Sequence, residues 1–387
     1  MANMRQSVVG SYKEDDSKLE YYNKGLGIVF NGEDNLKPLI IENMYDASPT
    51  AGQCAWIYGT FLVGGGFQVD MSKFNLSDKI WSPKTPNDLL YDTEESLARH
   101  QGFFMHVNYN ANYQKDSYKH IPYTLCRLGK LDSEDFAGKI AYSKKGWGRQ
   151  LKKEEIKWFY AYNPDPRVIA KQVEADGGWE SYRGQILYFK LSDKRIYTTS
   201  LLEQAYMFAD VENNIGKYYS STVKRNFEDI TVIRHKPFEN DNDFRQFEKN
   251  IKSISGLENS STKLIIEDEW DEIDKDGSIK FDTIKTDTKP DRYAHFESSS
   301  SNYIRKAHKN IPPQLVDYVS GKLGNTSGED LIKAQSVYNS LISRDQEKVE
   351  MIFKELFRNY KENINPSNDW TIKQYALLDD GTVNYER

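Results

Sequence analysis

Between Ser327 and Tyr360 the chain commits itself to helix. Leu331, Ala334, Val337, Tyr338, Leu341 and Ile342 recur at the three- and four-residue spacing of one helical face. Val349, Ile352, Phe353, Leu356, Phe357 and Tyr360 form a second stripe. Ser327 followed by Asp330 has the spacing of a capping pair. The polar stretch "SRDQEK" between the stripes predicts a kink or a break. Just upstream, Asn310–Asp330 reads "NIPPQLVDYVSGKLGNTSGED", two prolines and then three glycines between helical segments. A loop that long inside a compact domain is either functional or disordered.

The first half mixes helix and strand patterns. A helix is expected from about Asn35 through "LKPLIIENMYDA". In "SPTAGQCAWIYGTFLVGGGF", Ser48 is a good N-cap and Pro49 suits the first helical position. That helix presents Trp56, Ile57, Phe61 and Leu62 and stops at Gly64, Gly65 and Gly66. The glycines follow a helix rather than precede one, so they read as a C-cap and not as a phosphate cradle. A helix over Asn87–His100 leads into "GFFMHVNYN" and "YKHIPYTLCRLGK", both strand-like. "EIKWFYAY" and "GQILYFKLS" are further strands, with the helix "NPDPRVIAKQVEADGG" between them.

Ser200 and Glu203 form a capping box at the head of an expected long helix ending near Phe227. A small α/β insertion follows: strand "DITVIR", a helix bearing Phe244, Phe247, Ile251 and Ile254, and "TKLIIEDEWDEIDKDGSIKFDTI" read as a hairpin. A helix over Tyr293–Lys309 then returns to the proline-glycine loop. The fold class expected is α+β.

Composition narrows the function. The chain has 387 residues, enough for two or three units with sizeable cores. Its 52 Lys and Arg against 58 Asp and Glu give a net charge of -6, not that of a basic nucleic-acid binder. Cys54 and Cys126 stand far apart in no metal or redox spacing, which fits a reducing compartment. The first twenty residues lack the apolar core of a signal peptide, and no run reaches membrane-spanning length.

Chemistry-bearing motifs are scarce. "EIDKDGSIKFDT" resembles a calcium loop, but position twelve is Thr283 where a bidentate Glu is needed, and "KDG" reads better as a hairpin turn. His100, His106, His120, His235, His295 and His308 show no helical ligand pair; His106 and His120 could face each other across a hairpin. No nucleophile elbow, phosphate loop or Cys/His pair is present. "GWGRQLKKEEIKW" interleaves basic and aromatic residues, yet Glu154 and Glu155 break it. The run Glu267–Asp276 holds seven carboxylates in ten residues and reads as an exposed tip or a repulsive surface. Nothing here points to catalysis, a cofactor or a metal.

Four stretches in this order resemble the portal proteins of tailed bacteriophages. "ENMYDASPTAGQCAWIYGTFLVGGGF" is similar to the family's early helix. "GFFMHVNYN" followed by "HIPYTLCRLG" resembles its wing strands and basic "R-x-G" turn. "GQILYFKLSDKRIYTTSLLEQAYMFADVENNIGKYYSSTVKRNF" resembles its central strand, tyrosine-marked turn and long helix. "YIRKAHKNIPPQLVDYVSGKLGNTSGEDLIKAQSVYNSLISRDQEKVEMIFKELF" is the strongest and resembles its helix, "I-P-P-x-L" loop and following helix pair. Two departures stand out. The family often has a proline where this chain has "SRDQ", and the tail after Tyr360 is short.

The resemblance implies a wing over 1–199, a stem helix over 200–227, a clip over 228–290 and a second stem helix over 291–310. It also implies a tunnel loop over 311–327, C-terminal wing helices over 328–364 and a reduced crown over 365–387. It implies a dodecameric ring at one capsid vertex of the virion, assembled in the host cytoplasm. Double-stranded DNA would pass through the ring. The partners implied are the major capsid protein, a head-tail adaptor and the terminase large subunit, with no membrane. Pro312, Pro313, Leu315, Val316, Tyr318, Val319 and Lys322 are the tunnel-loop residues on this reading; a rival reading has the apolar ones pack the loop instead. Phe208, Val211, Ile215, Tyr219 and Tyr303 are the stem residues. Another ring-forming head-to-tail connector or a non-catalytic scaffold is the alternative. A nuclease is disfavoured by the missing metal-carboxylate motif.

Overall fold

Ser48 caps a helix as its position before a proline predicts: its side chain accepts from Ala51 N at 3.2 Å. The computed structural model describes residues 22–23, 25–77, 83–148, 151–192, 194–224, 230–235, 240–254, 263–267, 279–284, 290–316 and 327–375. In chain order the elements are β1 (Tyr22–Asn23), β2 (Ile28–Val29), α1 (Lys37–Ala47), α2 (Pro49–Val63), α3 (Pro86–Asp92), α4 (Glu94–His100), β3 (Gly102–Tyr109), β4 (Lys115–Ile121), β5 (Cys126–Leu128), β6 (Lys139–Tyr142), β7 (Lys157–Ala161), α5 (Pro166–Ala175) and β8 (Gln185–Lys190). They continue with α6 (Tyr206–Lys224), β9 (Ile230–His235), α7 (Asp241–Ile254), β10 (Lys263–Glu267), β11 (Ile279–Ile284), α8 (Pro290–Ala307), α9 (Pro313–Val316) and α10 (Ser327–Phe357). The fold is α+β. Two units separate by contact: Met1–Ala209 with Ser301–Arg387, and Asp210–Ser300.

In the first unit a six-stranded sheet runs β4-β3-β8-β7-β6-β5, antiparallel except where β7 meets β8. Its main core gathers residues of α2, β3 and α10, with Tyr58, Leu62, Phe103, Tyr338, Ile342, Val349, Phe353 and Leu356 buried. Each fully buried apolar side chain of this kind contributes about 1.5–3 kcal/mol. The segment after α10 belongs to the same core. Trp370 stacks on Phe357 at 4.9 Å and meets Phe67 edge-on at 5.2 Å. Backbone bonds Gly65 N to Lys373 O (2.9 Å), Lys373 N to Gly66 O (2.8 Å) and Gln68 N to Thr371 O (2.8 Å) strap it beside the glycines that end α2.

Several expectations are corrected. The helix read over Asn87–His100 is two, α3 and α4, meeting at Thr93, whose hydroxyl turns back to Leu90 O at 2.7 Å. The second wing strand breaks at Pro122, and β6 has no counterpart in the sequence reading. The Ser200–Glu203 box caps a short 3₁₀ turn, Leu201–Gln204, and α6 starts after it. No break divides α10. Its 31 residues run about 46 Å at helical rise. The polar gap stays helical because it has partners: Asp345 accepts from Tyr58 Oη at 2.8 Å and pairs with Lys309 at 3.1 Å, and Lys348 Nζ donates to Leu191 O.

In the second unit β9 is the middle strand of the order β10-β9-β11. β10 runs parallel to it and β11 antiparallel. The expected hairpin of β10 with β11 is therefore wrong, since the two lie on opposite sides of β9. Parallel neighbours need a crossover connection rather than a tight turn, and α7 lies between β9 and β10 in the chain. The residues joining β10 to β11, with most of the calcium-like motif and nearly all of the acidic run, lie outside the described residues.

Candidate functional site

The stem residues divide between the units. Phe208 and Tyr303 are in the first, where their rings stack with centroids 4.2 Å apart. Phe208 also packs against the main core, while Tyr303 is exposed with the Lys306 ammonium 5.2 Å over its ring. Val211, Ile215 and Tyr219 follow on α6 in the second unit. Ile215 is buried; Val211 and Tyr219 are exposed. Met207 stands 81% exposed at the start of α6, and the sequence reading passed over it.

The chain leaves α8 before it reaches the two prolines. Lys309 (φ 59°) and Asn310 (φ 54°) end α8 in the left-handed region, with Ile311 N bonded to Arg305 O at 3.1 Å. The prolines come after the exit and do not cause it. Pro313 instead opens the short turn α9. Ile311 is buried, and Leu315 and Val316 pack against the main core. Pro312 is half-buried and Pro313 exposed. Tyr318, Val319 and Lys322 lie outside the described residues.

Beneath this turn sits a buried polar chain with no obvious sequence signature. His308 Nδ1 lies 2.8 Å from Ile304 O, so that nitrogen carries the proton and donates. Nε2 is then the acceptor, 3.1 Å from Tyr45 Oη. Tyr45 Oη also lies 3.1 Å from Ser200 Oγ. Burial holds the His308 pKa down at about 4 and pushes the Tyr45 phenol up. The i, i+4 relation of His308 to Ile304 on a helix was the one available hint.

The other motifs resolve into structure. His106 pairs in register with Lys119 and His120 with Met105, so the two histidines do not face each other. His120 bonds Ser96 Oγ at 3.0 Å, and His106 bonds Arg183 O at 2.6 Å. Arg127 of the "R-x-G" turn is buried, with Nε donating to Asn35 Oδ1 at 2.5 Å and its guanidinium 5.4 Å from the Trp147 ring. In the basic-aromatic stretch Trp147 is buried, and Glu155 pairs with Lys145 just before the stretch. Trp56, named with Ile57, Phe61 and Leu62 on α2, is 59% exposed while those three are buried; Val337 and Leu341 are also exposed, while the rest of their stripe is buried or half-buried. Among the described residues no group of three or more His, Cys, Asp or Glu is placed to hold a metal ion, and no helix is long and apolar enough to cross a membrane.

No protein-family model and no curated protein sequence matches the chain. Solved structures do. The chain is similar to one in the neck of a native GTA (gene transfer agent) particle computed with C12 symmetry, at 10% identity and TM-score 0.47, over 87% of this chain and 84% of that one. It is similar to one in the neck of an empty GTA particle computed with C6 symmetry, at 7% identity and TM-score 0.45, over 86% and 83%. It is also similar to an HK97 family phage portal protein from Corynebacterium diphtheriae, at 9% identity and TM-score 0.39, over 78% and 89%.

Proposed function

We propose that this chain is the repeated subunit of a phage portal, a ring at one capsid vertex that conducts double-stranded DNA during packaging and ejection. The observation that carries the reading is a set of exposed apolar side chains spread along three helices. Met207 and Val211 on α6, Phe296 and Tyr303 on α8, and Val337, Leu341 and Met351 on α10 are exposed. Unburied apolar surface of this kind suits a protein interface. In a ring the interface is heterologous and closes on itself, so each subunit must offer two different faces.

On this reading the wing comprises 1–199 and 328–364, the stem helices 200–227 and 291–310, and the clip 228–290. The tunnel loop is 311–327 and the reduced crown 365–387. The separation of Asp210–Ser300 as its own unit, holding most of α6 and the first part of α8, supports a clip distinct from the wing. The clip would receive the terminase large subunit during packaging and the head-tail adaptor afterwards, and the wing would meet the major capsid protein. The net charge of -6 suits a conduit, because a strongly cationic lining would displace phosphate counterions and hold DNA in place. The role is structural rather than catalytic.

Negative-stain microscopy and sedimentation of the purified chain test the proposal. Rings with a central hole, with twelve subunits in the virion, are expected; a compact monomer at all concentrations overturns it. A different head-to-tail connector would also form rings, but its loss would leave capsids able to fill with DNA.

A further inference from the structure

Four elements of the first unit converge on His308. Its Nδ1–H donates to Ile304 O in the last turn of α8, its Nε2 accepts from Tyr45 of α1, and Tyr45 in turn accepts from Ser200 at the turn before α6. Tyr338 of α10 donates to the His308 carbonyl at 3.1 Å. The ring is fully buried.

The charged and titratable groups around this chain offer a protonated ring no counter-ion. Tyr45 and Tyr338 are phenols, Cys54 of α2 is a buried thiol, and Arg99 of α4 places its own positive charge 5.7 Å from the Tyr45 ring. Lys309 is next in sequence, and the carboxylate it meets, Asp345, is already shared with Tyr58. Glu203, beside Ser200, is engaged by Lys37 at 2.8 Å and by Ser200 N. Among the described residues no carboxylate forms an ion pair with the imidazole.

A proton added at Nε2 reverses the chain. Tyr45 must then accept from His308 and donate to Ser200 Oγ. That oxygen already accepts from Leu202 N at 3.3 Å, and the Ser200 hydroxyl loses Tyr45 as its acceptor. The larger cost is the buried cation itself, which is relieved only if the ring reaches water. The ring can do so by lifting the end of α8 off α1. Ile311, Leu315 and Val316, which follow directly and seat in the core, would move with it.

We infer that His308 is a pH-sensitive latch: neutral, it holds the end of α8 and the turn through Val316 onto α1, and protonated, it releases them together ahead of the rest of the fold.

Hydrogen exchange of the full chain, followed by mass spectrometry and corrected for intrinsic rates, tests this across pH 7 to 4.5. Exchange over 301–316 should accelerate by up to about tenfold per pH unit below the ordinary histidine pKa, while α2 keeps its protection. In His308→Gln, which cannot titrate, that local dependence should vanish. If the variant fails to fold, histidine NMR of the unaltered protein decides: the ring should titrate at the pH where the local opening saturates. Acceleration that persists in His308→Gln, equal acceleration in α2, or a ring that titrates near its ordinary value each overturns the latch.

Discussion

The rings of Phe208 and Tyr303 lie 4.2 Å apart at 16°, joining the start of α6 to the last turns of α8. The contact is sandwiched, with core on the Phe208 side and the Lys306 ammonium over Tyr303. It is therefore a packing contact and, on the portal reading, part of the surface offered to a neighbouring subunit.

Changing Phe208 to Asp sets a carboxylate against the core and removes the stack. A loss of about 3 kcal/mol is expected in denaturant unfolding. Phe208→Leu keeps most of the burial and should lose only about 0.5–1.5 kcal/mol of ring contact. Sedimentation should show rings lost or subunits aggregated in the first variant and rings retained in the second. Unchanged assembly of Phe208→Asp would remove this residue from the stem.

Gly64 ends α2 at φ 51°, and a Cβ there would lie 1.9 Å from Lys373 O. Gly64→Ala must therefore displace the strap that carries Trp370 and Ile372. We expect a loss of about 2–4 kcal/mol together with easier proteolysis after Tyr360. A thermal melt within a degree of the unaltered protein would show that the strap adds little.

The Ser48 and Gly64 boundaries were readable because they rest on local chemistry: a hydroxyl cap before proline, and a glycine free of Cβ strain. The stripes of α10 were readable as helix, but periodicity could not show that Val337 and Leu341 face outward while Ile342 and Phe353 face in. The false break came from taking polarity for exposure, when Asp345 and Lys348 are held by Tyr58, Lys309 and Leu191 O from distant parts of the chain. The false hairpin came from adjacency in sequence, which does not reveal that β9 takes a strand on each side. The His308 chain spans more than 250 residues between Tyr45 and His308, beyond the reach of any local pattern.

Acid should destabilise the fold below about pH 6.5. Burial lowers the pKa of His120 and of His308 to about 4, against about 6.5 unfolded. The unfolded chain therefore binds more protons between pH 4 and 6.5, and stability falls as pH drops through that window. The slope is at most about 1.4 kcal/mol per pH unit for each histidine, and less for the partly exposed His120. Denaturant midpoints measured across pH 4–7 should show it, and His120→Gln should flatten it in part. A flat profile would mean that both rings reach water in the folded state.

Lys115 works in the opposite pH range. Its ammonium is buried at the end of α10, donating to Glu355 O at 2.5 Å and Arg358 O at 2.9 Å. Lys115→Met leaves two carbonyls unpaired and should cost about 1–3 kcal/mol at neutral pH. Burial, partly offset by Glu355, lowers the lysine pKa to about 8. The unfolded chain then holds more protons between pH 8 and about 10.5, so this lysine's contribution should grow as pH rises. The difference between the unaltered protein and Lys115→Met should widen from pH 8 to 10; a difference that narrows would show that the charged form is the favoured one.

The tunnel-loop proposal separates into two experiments, because its residues divide at the core. Leu315 and Val316 pack against buried side chains, so replacing both with Lys should destabilise the subunit whether or not DNA passes nearby. The residues from Tyr318 to Gly324 give the cleaner test. Shortening the chain there should leave unfolding midpoints and ring formation unchanged, as loop deletions do where few buried contacts depend on the segment. On the portal reading it should reduce the length of DNA packaged or retained in the head. Val319→Lys adds one cation per subunit, repeated around the ring. It should slow DNA movement at low salt, with partial recovery as salt rises, because each neutralised phosphate adds salt-dependent affinity. Normal packaging in both variants, with rings intact, would take this loop out of the channel and leave Leu315 and Val316 with packing alone.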